Sequence, residues 1–121
     1  MDTCKENMRA YALGSIIDGD TGEPIAERSE AKAIATFAEA FRNEFDTPHA
    51  RLFRPSLADR VEEFIKGLPR CLSIAFDDAT IEREILPPLG FPENECTAST
   101  YWHELAAALV ALMSESATLQ D

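Results

Sequence analysis

A chain of 121 residues with 45% hydrophobic and 27% charged side chains is the size of one domain, and that balance excludes an intrinsically disordered polymer. A formal net charge of −11 argues against nucleic acid and anionic membranes as partners, because like charge repels phosphate. Three scattered cysteines, Cys4, Cys71 and Cys96, exclude a paired disulfide framework and a CxxC zinc site, and with an N-terminus that lacks an apolar signal region they indicate a cytoplasmic protein.

In the first segment, Thr3-x-x-Glu6 has the form of a capping box, and Met8, Tyr11, Ala12 and Ile16 follow at helical spacing before Gly19. Tyr11, Leu13, Ser15 and Ile17 also alternate, so a short N-terminal strand or hairpin is the competing expectation. The stretch Asp18-Gly19-Asp20-Thr21-Gly22-Glu23 resembles a cation loop in composition only. Counted from Asp18, the fifth, sixth and twelfth positions are Gly22, Glu23 and Ser29, and none is the residue an EF-hand requires. Gly, Asp and Thr favour turns for backbone reasons, so a turn is expected here.

From Pro24 or Ser29 to Phe45 the pattern is helical, with Ile34, Phe37, Ala38, Phe41 and Phe45 in a stripe opposite Lys32, Glu39 and Arg42. The following linker, 46–55, holds His49, Arg51 and Arg54 around Leu52 and Phe53, the one locally basic patch. Ser56 is placed to cap a helix with the stripe Leu57, Val61, Phe64, Ile65 and Leu68, and Gly67 is placed to end it. Residues 69–86 suit a helix interrupted near Asp77, although Leu72, Ile74 and Phe76 alternate as a strand does. Leu86-Pro87-Pro88-Leu89-Gly90-Phe91-Pro92 should be stiff and extended or polyproline-like, its apolar Leu86, Leu89 and Phe91 either lidding the protein's own core or offering a contact site.

The last element is the most apolar. Leu105 to Met113 is nine apolar residues without a break, inside a helix expected over Thr100 to Ser114, with 115–121 a frayed tail. It is too short to span a bilayer, so other helices or a second copy should surround it. The expected architecture is therefore all-α: a single bundle-like domain of four or five helices with the final helix at its centre. A homodimer is expected, because only about three amphipathic stripes are available to cover that helix.

No motif for catalysis, nucleotide binding or a cofactor is present, and no metal site or cofactor is expected. The leading expectation is a regulator that works by direct protein–protein contact, as an inhibitor, adaptor or anti-activator, for example of a transcription regulator. Its partner should have a basic or apolar face. Leu86, Leu89, Phe91 and Trp102 are the candidate contact residues, since apolar and aromatic anchors dominate interface energies. The alternative is a small enzyme or metal-dependent protein using Asp18 and Asp20 or Cys96 and His103. A third reading is nucleic-acid binding through Arg51 and Arg54.

Overall fold

The computed structural model describes residues 3–18, 20–25, 29–44, 56–67 and 77–119, with the side chains of the last helix described as far as Ser114. The described chain is all-α. Its helices are α1 (Thr3–Gly14), α2 (Glu30–Glu44), α3 (Leu57–Gly67), α4 (Asp78–Thr80), which runs on as a π-helical turn over Ile81–Ile85, and α5 (Ala98–Leu119). Two 3-10 turns, Pro87–Leu89 and Glu93–Glu95, connect α4 to α5.

α1 forms because Met8, Ala12 and Leu13 give it a buried side. It stops at Gly14, five residues short of Gly19, and Thr3 is its first helical residue. Beyond Gly14, the Ser15 backbone N–H donates to the Tyr11 and Ala12 carbonyls at 3.0 and 3.2 Å, and its hydroxyl donates to Tyr11 at 2.8 Å. These bonds occupy the last carbonyls of the helix, which an ending helix otherwise leaves unpaired. The expected strand is reduced to one antiparallel bridge between Ile17 and Pro24, and among the described residues there is no strand.

α3 begins at its expected cap, and α2 begins after Ser29, the later of its two expected starts. The Lys32 N–H donates to Ser29 Oγ at 3.3 Å, and the Asp59 N–H donates to Ser56 Oγ at 3.1 Å. Ile34, Phe37, Ala38 and Phe41 are buried on α2, and Val61, Phe64 and Ile65 on α3. The Phe64 ring meets Phe37 and Phe41 edge-on, with centroids 5.6 and 5.4 Å apart, an arrangement favoured by the ring quadrupoles. Phe45, Leu68 and the question of helix or strand for 69–76 lie outside the described residues.

Asp77 caps α4: its carboxylate accepts the Thr80 N–H at 2.8 Å, and those bonds hold the carboxyl below its ordinary value. The Leu86 N–H then donates to the Ile81 carbonyl at 3.0 Å, the five-residue step of a π turn. From Leu86 to Gly90 the proline segment that follows is not extended, whereas Pro92 is (φ −60°, ψ 152°). Leu86 is helical (φ −69°, ψ −43°), Pro87 and Pro88 lie in the first turn of a 3-10 helix, and Gly90 ends it at φ +98°. Proline is tolerated in a first helical turn because its missing N–H has no partner there, and burial of Leu86 at 0% exposure holds it against the usual extended preference before proline.

α5 starts at Ala98, capped by Thr97, whose Oγ1 accepts the Thr100 N–H at 3.1 Å. It continues to Leu119, through most of the stretch expected to fray. Tyr101, Leu105, Leu109 and Leu112 form its fully buried side, and α1, α2 and α3 all pack against it. Burying each leucine is worth about 1.5–3 kcal/mol. Buried residues from α1, α2, α3, the π turn and α5 make one continuous core.

The helix is central, as expected, but it is not enclosed. His103, Ala107, Ala111 and Ser114 are exposed along one side of it. Three neighbours cover the leucine side, and an alanine methyl offers so little area that leaving it in water costs little.

Candidate functional site: a groove along the last helix

The open side of α5 is the floor of a groove. Between α1 and α5 a cavity of about 530 Å³ has Met8, Ala107, Ala108 and Ala111 as its apolar lining and Lys5, Glu6, Arg9 and Glu104 as its charged lining. A recess of about 250 Å³ over Phe91, Glu95, Ser99 and Thr100 shares His103 and Glu104 with it, so the two adjoin along α5. From Thr100 to Ala111 the groove follows about three turns of helix, roughly 16 Å at about 1.5 Å per residue.

The Phe91 end is built by the proline turn. The Asn7 side-chain amide donates to the Leu89 carbonyl at 2.9 Å, which ties the turn to α1. Next to it the Cys4 thiol meets the Gly90 carbonyl at 2.8 Å, and the Cys96 thiol donates to the Phe91 carbonyl at 3.6 Å. From the other side, Glu82 accepts the Ala98 N–H at 3.2 Å, setting a carboxylate at the positive end of the α5 dipole.

The four residues expected to form a contact surface are not brought together. Leu86 is fully buried and belongs to the core, so it is unavailable to a partner. Leu89 and Phe91 are half-buried on the turn, and Phe91 lines the groove. Trp102 sits on the α3 side, its ring edge-on to Tyr101 at 5.1 Å and under the Lys66 ammonium at 5.8 Å. Met8, Lys5, Ala107 and Ala111 were missed by the sequence reading. The run gives no clear signal for the alanines, because Val110 and Met113 stand in it beside Leu105, Leu109 and Leu112 and large residues face more than one side.

The residues of the enzyme reading do not assemble. The Asp18 carboxylate accepts the Asp20 N–H at 2.9 Å, while the Gly22 N–H donates to the Asp18 carbonyl at 2.8 Å, so these groups close their own turn. Among the described residues, no three His, Cys, Asp or Glu side chains converge as metal ligands do. Burial, followed by the nearby Glu93, Glu95 and Glu82, pushes the Cys96 thiol above its ordinary value, the reverse of what a nucleophile needs, and His103 faces outward on α5. Arg51 and Arg54 lie outside the described residues. No described helix is long and apolar enough to cross a membrane.

The described residues form an apolar trough with charged walls between α1 and α5. Comparison with protein-family models, with curated proteins and with solved structures gave no match to this chain.

Proposed function

We propose that the protein is a binding module whose groove along α5 receives an amphipathic helix from a partner protein, and that it regulates the partner by occupying that helix. The observation that carries this reading is the exposed Ala107/Ala111 face, flanked by α1 and adjoined by a recess that Phe91 lines. Small residues let two helix backbones approach closely, and about three turns of trough match the i, i+3, i+4, i+7 anchors of a helix-in-groove complex. The partner helix is basic on its flanks. Glu95 and Glu104 line the Phe91 end, and residues 71–121 hold nine acids against Arg83.

The test is titration of the labelled protein with a synthetic amphipathic Leu/Lys helical peptide, followed by NMR. Shifts should concentrate at His103, Ala107 and Ala111, and Ala107→Glu should weaken binding about tenfold or more. That substitution adds a negative charge, so attraction by overall charge alone would strengthen binding, and such a result would sink the proposal. A second copy of the chain is the competing occupant. A dimer by sedimentation that Ala111→Glu dissociates, with no peptide shifts, would replace the partner helix with the chain itself.

A further inference from the structure

His103 and Glu104 line both the trough between α1 and α5 and the recess over Phe91, and His103 is exposed there. The charged groups around its imidazole come from every wall. Lys5, Glu6 and Arg9 line the trough from α1, Glu95 lines the recess from the 3-10 turn before α5, and Glu104 follows on α5 itself. Imidazole is the side chain whose charge ordinarily changes between about pH 5 and 8. Lysine, arginine and glutamate ordinarily titrate outside that range, which leaves the imidazole as the variable charge of the groove.

We propose that His103 makes capture of the basic partner helix pH-dependent: the neutral imidazole accepts the helix, and protonation turns the groove against it. This regulation rests on the helix-in-groove reading of the same site. An imidazolium repels the lysines or arginines on the flanks of the partner helix. It also draws on Glu95 and Glu104, the carboxylates that meet those cations when the ring is neutral. A helix laid over the floor takes His103 out of water as well, and burial penalises the charged form of the ring.

All of these effects have one sign. A proton that weakens binding is released on binding, by linkage. Affinity is therefore full above the range in which imidazole titrates and falls as pH drops through it. The other of the chain's two histidines, His49, lies outside the described residues, so a variant of His103 itself has to carry the test.

That test is calorimetric titration of the full chain with an end-blocked amphipathic Leu/Lys peptide at about pH 8 and about pH 6, an interval over which lysine keeps its charge. The parent should bind about threefold or more weakly at the lower pH. Runs between those values in two buffers of different ionisation enthalpy should register release of protons on binding. His103→Gln is neutral throughout, so it should bind equally at both pH values and release none. Equal affinity of the parent at the two values, or an equal fall in His103→Gln, would overturn the pH control and leave the groove reading standing. Absence of binding at both values would overturn the two together.

Discussion

The hydroxyls of Tyr11 and Tyr101 lie 3.0 Å apart and join α1 to α5 across 90 positions of sequence, with the two rings edge-on at 5.9 Å. Tyr101 is fully buried, so its hydroxyl depends on this bond. Tyr101→Phe should cost about 0.5–1.5 kcal/mol and lower Tm by a few degrees in calorimetry. Loss of several times that amount would mean the pair anchors more than one bond.

These are the only two tyrosines, and burial raises both above the ordinary phenol value of 10.0. The folded protein therefore keeps its protons where the unfolded chain loses them. Stability contributed by the pair is complete below pH 10.0 and declines as pH rises above it. Absorbance at 295 nm should show no phenolate step near pH 10 while circular dichroism remains native. A full two-tyrosine step in the native state would refute the buried pair.

Two glycines should respond in opposite directions to alanine. At Gly90, φ is +98° and a Cβ would press on Cys4 at 3.3 Å, so Gly90→Ala should destabilise by about 1–2 kcal/mol. Adding Cys4→Ala should recover only the part due to contact. At Gly14, nothing lies within 4 Å, and Gly14→Ala should stabilise by about 0.4–1 kcal/mol. Urea midpoints of the variants check both signs.

The two sides of α5 should differ sharply. Leu109→Ala, in the buried stripe, should cost about 2–5 kcal/mol through lost burial and a cavity. Ala111→Ser, on the open side, should stay within about 0.5 kcal/mol of the parent. Similar losses in the two would mean that the groove is filled.

Trp102, the single tryptophan, packs on Tyr101 away from the groove. Trp102→Ala should lower stability by about 1–3 kcal/mol and leave peptide affinity unchanged. A loss of affinity equal to that of Ala107→Glu would put Trp102 back on the binding surface.

Helix placement was legible where a cap and a stripe coincide, as for Ser56 with Val61 and Phe64. These signals are local, since both the capping bond and the 3.6-residue repeat are set within a few turns. The proline segment was misread because its stiffness is local but its shape is not. Prolines 87 and 88 fit an extended run or a helical first turn, and burial of Leu86 together with the Asn7 and Cys4 bonds from α1 selected the second.

By itself the sequence determined the all-α class, the start of α3, and a final helix at the centre, because these depend on periodicity, capping and the length of an apolar run. Only the tertiary structure decided which side of that helix stays open, and that Phe91 but neither Leu86 nor Trp102 borders the groove. Nine apolar residues in a row carry no direction of their own. The direction comes from where α1, α2 and α3 pack, since three helices burying leucine and tyrosine leave Ala107 and Ala111 to water.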